Sequence, residues 1–142
     1  MKSKKDIGIW LDYRETYLVE LTDEAAPVVK HLRSGIKPGV AKGGVRSKVP
    51  YGPQGGPSQH RFEEKRHHEE KAYFERIIGE IDPEADELVI FGPAEAKFGL
   101  QNAIEAIKHY HPRVMGVFPA DSMSEKQIVA GVKEFFETKV TG

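Results

Sequence analysis

Between Gly35 and Pro57 the chain holds seven of its fourteen glycines and four of its nine prolines. Glycine loses the most chain entropy on ordering and proline withholds a backbone donor, so this stretch is too open to bury a core. The core has to be assembled from the segments on either side. The stretch is also basic. From Ala25 to Phe62 the chain carries Lys30, Arg33, Lys37, Lys42, Arg46, Lys48 and Arg61 and no acidic residue. The formal net charge is only −1, so acid elsewhere offsets this excess. A long basic loop inside an otherwise regular domain is a candidate device for contacting a polyanion.

The flanking segments alternate in ways that predict regular structure. Ile7, Ile9 and Leu11 share one face around Trp10, which predicts a strand over 7–11. Tyr17–Leu21 predicts a second, joined to the first by the polar turn Asp12-Tyr13-Arg14, and Val28–Leu32 a weaker third. Beyond the open stretch, Ser58 is placed to cap a long helix starting at Gln59. Its later half carries Tyr73, Phe74, Ile77, Ile78 and Ile81 at helical spacing and is expected to pack. Its first half, Gln59–Lys71, is almost wholly polar and is expected to project, carrying the loop outward.

Glu87–Phe91 is the cleanest strand, and Gly92-Pro93 is expected to open a helix with Leu100, Ile104 and Ile107 as its buried stripe. His111-Pro112 would end that helix, and Val114–Phe118 follows as a strand. Ser124 with Gln127 forms a capping box for a last helix that buries Ile128, Val132, Phe135 and Phe136. Three meandering strands followed by strand–helix crossovers build a mixed five-stranded sheet with helices on its faces. The expected class is α/β, a three-layer domain with the ribonuclease H-like order of elements. At 142 residues the chain is expected to be a single domain, 1–142, with the flexible basic loop at about 35–57.

Composition narrows the chemistry. The chain has no cysteine, which excludes a disulfide framework, a thiolate metal site and a cysteine nucleophile. The apolar run Ile7–Leu11 is broken by Gly8 and ended by Asp12, so neither a signal peptide nor a membrane span is read there. A cytoplasmic protein with no cofactor and no membrane partner is expected.

Four groups of residues bear on function. Tyr51-Gly-Pro-Gln-Gly-Gly-Pro-Ser58 lacks the phosphate-loop and dinucleotide patterns, because no strand directly precedes it. It reads either as a plain surface loop or as a flexible tip, in which Gly55 and Gly56 let the backbone approach closely. In the second reading Lys42, Arg46, Lys48, Arg61, Lys65 and Arg66 contact phosphates, with RNA as the partner. His60, Glu64, His67 and His68 lie on one side of the polar half-helix, and a solvated or phosphate-facing surface explains them without a metal, since no third ligand comes from a second element. Asp12, Glu20 and Asp121 are the carboxylates that a two-metal nuclease site would use. Asp12 reads more simply as the cap of the hairpin turn, Glu20 as solvent-facing, and Asp121 as the residue leading into the last helix. Gly92-Pro93-Ala94-Glu95 reads as a tight crossover; it could also offer helix N–H groups to an anion, with Lys97 offsetting Glu95.

Gly55-Gly56-Pro57-Ser58-Gln59-His60-Arg61-Phe62 resembles the GGQ loop in the middle domain of archaeal and eukaryotic class-1 peptide-chain release factors. In that family the loop runs on through Ser, two variable residues and Arg-Phe into a helix rich in Arg and His, where Arg66-His67-His68 falls here. Val89-Ile90-Phe91-Gly92-Pro93-Ala94-Glu95-Ala96-Lys97-Phe98-Gly99-Leu100 resembles the strand, glycine turn and Lys-bearing helix that follow. The resemblance runs from the Ile7 strand to the Phe135 helix and is closest to a bacterial-type stand-alone form of the domain. It implies a ribonuclease H-like fold and a partner in the ribosome or tRNA.

The chain departs from the family at one position. Pro57 stands where the catalytic Gln of the release factors would position the water that attacks the peptidyl-tRNA ester. Proline has neither a side-chain amide nor a backbone N–H. The chain is therefore similar to Pelota-like rescue proteins, which lack the GGQ and leave the ester intact. The resemblance does not reach the flanking domains that read stop codons, so codon recognition is not implied, and a protein partner supplying them is a further expectation. Two alternatives remain open: a peptidyl-tRNA ester hydrolase using Gln54 or Gln59, and a protein-interaction module whose basic loop folds onto an acidic partner.

Overall fold

A first strand that is apolar on both faces needs cover on both sides, and the fold supplies it. The computed structural model describes residues 4–23, 25–36 and 55–141, with the backbone alone at 55–62 and 139–141. Its elements in chain order are β1 (Lys5–Leu11), β2 (Glu15–Thr22), β3 (Val28–Arg33), α1 (Gly55–Glu80), β4 (Glu87–Gly92), α2 (Ala96–Glu105), β5 (Arg113–Pro119) and α3 (Glu125–Thr141). The five strands form one sheet in the order β3-β2-β1-β4-β5. β1–β2 and β2–β3 pair antiparallel, whereas β1–β4 and β4–β5 pair parallel. A hairpin can join antiparallel neighbours, but parallel ones need crossovers, and α1 and α2 supply them. This is the expected α/β, ribonuclease H-like arrangement in three layers.

On one face Ile7, Ile9, Leu11, Leu18, Leu88 and Ile90 pack with Tyr73, Phe74 and Ile77 of α1 and Leu100 and Ile104 of α2. On the other, Trp10, Val19 and Val89 pack with Ile128, Val132 and Phe136 of α3. The central strand thus sits between two helical layers, which is why its residues from Ile7 to Leu11 are all buried.

The expected hairpin turn and last cap are present. Asp12 Oδ1 accepts from the N–H groups of Arg14 (2.8 Å) and Glu15 (2.9 Å). Ser124 N–H donates to Gln127 Oε1 at 2.9 Å and Gln127 N–H to Ser124 Oγ at 3.2 Å, a reciprocal capping box.

Several expectations need correction. The strands extend past their apolar residues, β1 from Lys5 and β2 from Glu15, because the backbone ladder pairs whatever side chains it carries. α1 opens at Gly55, not at Gln59, so Ser58 lies inside the helix rather than capping it. Pro57 is no obstacle there, since the first N–H groups of a helix have no partner within it. Gly55 and Gly56 lower helix propensity by about 1 kcal/mol each without forbidding the turn. α2 opens at Ala96 instead of at Gly92-Pro93, with Glu95 as its N-cap, and ends at Glu105. Ile107 therefore falls beyond the helix and is 40% exposed. Glu20 is buried, not solvent-facing, and lies between Lys5 Nζ (3.8 Å) and Lys30 Nζ (3.5 Å).

Candidate nucleic-acid interface

The amphipathic character of α1 changes along its length. Tyr73, Phe74 and Ile77 are buried, whereas Glu63, Glu64, Lys65, His67 and His68 are exposed. At 1.5 Å per residue, Gly55 stands about 27 Å along the axis from Tyr73. Arg66 marks the transition. Its Nε donates to Glu70 Oε2 at 3.0 Å, and its guanidinium lies 5.9 Å from the centre of the Tyr13 ring. Tyr13 in turn packs against Phe74, with ring centres 6.4 Å apart. Burial, followed by the nearby Glu70 and Glu95 carboxylates, pushes the Tyr13 phenol above its ordinary value.

The basic segment leaves the sheet at a held point. Arg76 of α1 donates from Nη2 to the Arg33 carbonyl at 2.9 Å and from Nη1 to the Ser34 carbonyl at 3.5 Å. Ser34 N–H donates to the Arg14 carbonyl at 2.9 Å. Gly35 then takes φ +77°, a left-handed conformation suited to glycine, and Ile36 folds back into the core.

The expected contact residues are distributed unevenly. Gly55, Gly56, Arg61 and Gln59 lie in the opening turns of α1. Lys65 is exposed, while Arg66 is half-buried and engaged by Glu70 and Tyr13. Lys42, Arg46, Lys48 and Gln54 lie outside the described residues. Tyr13 and Glu70, which hold the base of the polar half-helix, were not singled out by the sequence. The i, i+4 spacing of Arg66 and Glu70 was the available signal.

The other groups have structural partners. Lys97 is 5% exposed; its ammonium donates to the Ala94 carbonyl and lies 4.6 Å from the centre of the Phe98 ring. It is therefore turned into the crossover and not out toward an anion. A Cβ on Gly92 would come 2.3 Å from the Leu11 carbonyl oxygen, so the close passage of β1 by β4 explains this glycine. Asp12 caps its turn, Glu20 is paired with lysines, and Asp121 presents its backbone carbonyl to Trp10 Nε1 at 3.2 Å. Among the described residues no group of three or more His, Asp or Glu side chains could hold a metal ion. No described helix is long and apolar enough to cross a membrane.

Fold and surface together define an α/β domain of ribonuclease H-like topology with one long helix that is anchored by its later half and polar in its first. No protein-family model matches the chain, and no curated protein matches it. Among solved structures, it is similar to an archaeal translation termination factor, aRF1, with a TM-score of 0.47 and 12% identity. That match covers 96% of this chain and 40% of the factor, so the chain spans well under half the factor's length.

Proposed function

We propose that this chain is a translation-related protein of the release or rescue kind, which binds ribosomes or tRNA and leaves the peptidyl-tRNA ester intact. The observation that carries the reading is where the Gly55–Phe62 motif falls: at the outer end of a helix whose buried half is fixed to the sheet. The acid-free segment that runs into this end adds the charge an RNA phosphate backbone requires. Lys42, Arg46, Lys48, Arg61 and Lys65 supply phosphate contacts in this reading, and Gly55 and Gly56 allow close backbone approach. Arg66 contributes only by exchanging Glu70 for a phosphate. The protein works in the cytoplasm, with a partner chain providing any codon-reading domains.

Pro57 is the reason for assigning no hydrolysis. It offers neither an amide nor an N–H where the attacking water would be held. Gln59 is two residues on in a helix, about 200° around its axis, and positioning errors of even 1 Å are expensive in catalysis.

Co-sedimentation with purified ribosomes tests the reading. The wild type should pellet with ribosomes at low salt and be released steeply as salt rises. Arg61→Ala/Lys65→Ala should stay in the supernatant. Wild-type protein that never pellets, even with stalled complexes, would sink the proposal. Release of labelled peptide from peptidyl-tRNA would replace it with the hydrolase alternative.

A further inference from the structure

The edge of the sheet at β3 carries an arrangement that neither the core nor the helix α1 uses. Tyr17 of β2 and His31 of β3 are cross-strand partners, and their rings stack with centres 4.4 Å apart and planes 13° from parallel. Glu15 Oε1 lies 2.8 Å from His31 Nε2 and fixes the ring's orientation. Tyr17 is backed by Trp10, with ring centres 6.4 Å apart, on the side of the sheet where α3 packs. The stack therefore has a rigid, buried inner side. His31 remains one-third exposed at the side chain, and among the described residues β3 is the edge strand of the sheet.

Cations flank the stack. Arg33 follows His31 by two residues on the same face of β3, and it is exposed. Its cross-strand partner is Glu15, whose carboxylate is engaged with His31 instead. Arg14 is exposed beside the end of β3, held there by the bond from Ser34 N–H. Among the described residues neither arginine has a carboxylate within ion-pair distance. The acid-free run of the sequence starts before β3 and continues past it, and the Glu15 carboxylate on His31 is the acid at the stack itself.

We infer that the α3 side of the β2–β3 edge is a platform for unpaired RNA, with a base stacked on the open face of His31 and neighbouring phosphates held by Arg33 and Arg14. An aromatic ring fixed from behind and bordered by arginines is the chemistry of single-strand binding, in which stacking tolerates any base and cations track the backbone. The inference deepens the ribosome or tRNA reading and rests on it for the choice of RNA. It adds a contact on the sheet to those proposed for the opening turns of α1.

The test is fluorescence anisotropy of the full chain with a labelled 10-nucleotide single-stranded RNA and with an abasic oligomer of equal charge. His31→Ala should weaken RNA binding by about tenfold, in line with the loss of one stacked base. His31→Phe should retain it, because stacking needs the ring and not its nitrogens. Arg33→Ala/Arg14→Ala should weaken both oligomers, and the abasic one should be insensitive to His31→Ala. Thermal melts of each variant confirm that the sheet is intact. Equal binding of RNA by wild type and His31→Ala, equal binding of the two oligomers, or no RNA binding by the wild type each overturns the platform. Binding of a polyglutamate peptide in place of RNA also overturns it, in favour of an acidic protein partner. Failure of the translation reading is separable. Wild type that binds the oligomer through His31 but never pellets with ribosomes removes that reading and keeps the platform. Wild type that pellets while His31→Ala binds RNA normally does the reverse.

Discussion

Tyr73 ties the long helix to the first hairpin through one hydroxyl. Its O–H donates to the Asp12 carbonyl at 2.9 Å, so the 2.6 Å contact with Thr16 Oγ1 must be a bond donated by Thr16. Thr16 is fully buried, so its hydroxyl would lose its partner away from bulk solvent. Tyr73→Phe should cost about 1–3 kcal/mol in urea unfolding, the range for stranding a buried polar group. Adding Thr16→Val should recover part of that loss, because the stranded hydroxyl is then gone. Equal and additive losses would show that the two side chains act independently. The sequence showed Tyr73 only as part of an apolar stripe. Its bond to a turn 61 positions earlier in the chain belongs to the tertiary fold.

At the scale of elements, α3 docks on β1 where Gly8 leaves room for Val132. A Cβ on Gly8 would sit 2.3 Å from Val132 Cγ2, closer than packed atoms allow. Gly8→Ala should therefore destabilise the domain by roughly 1–3 kcal/mol, the usual cost of overpacking. Paired with Val132→Ala, the same change should cost less than the sum of the two single changes, as a double-mutant cycle in urea would record. Ser124→Ala should cost about 1 kcal/mol through the lost cap of α3. The capping box was legible because both its residues lie within one turn of sequence. The start of α1 was not: glycine and proline read as breakers, yet the first turn of a helix asks little of either. Ile107 was misread for a related reason. The apolar spacing continues past the point where the backbone ends α2.

For the whole molecule, burial and ion pairing set how stability follows pH. Burial pushes the Tyr110 phenol up to about 12 and raises Tyr73 well above its usual value of 10.0. Above pH 10 the unfolded chain sheds these protons while the folded chain keeps them, so stability is full below that pH and falls as pH climbs. Lys5, raised by its bond to Asp82, adds to the same alkaline loss. Urea midpoints measured from pH 9 to pH 12 should fall, and Tyr110→Phe should flatten the slope. Asp82 works at the acid end. Its carboxyl is held below its ordinary 3.8 by the Lys5 ammonium and the Glu84 N–H, so its contribution is present above that pH and lost as pH falls through the lowered value. Lys5, Glu20, Lys30, Glu80 and Asp82 together join β1, β2, β3 and the end of α1. High salt should weaken these partly buried links only slightly.

The sequence by itself determined the class and order of the elements, since the two-residue and helical periods of apolar residues are local properties that each segment displays alone. It also marked the Gly55–Phe62 segment, with its proline at position 57, and the acid-free run. What the tertiary structure decided is which of those residues are available. Arg66 and Lys97, equal to Lys65 in sequence as cations, are drawn to Glu70 with Tyr13 and to the Ala94 carbonyl. Glu20, near the end of the apolar run Tyr17–Leu21, is buried and reached by two lysines from neighbouring strands. Tyr17 and His31 lie fourteen residues apart in sequence and meet only through the register of β2 on β3. Charge and ring type are written in the chain, but availability depends on neighbours that strand pairing and helix docking bring from far away in it.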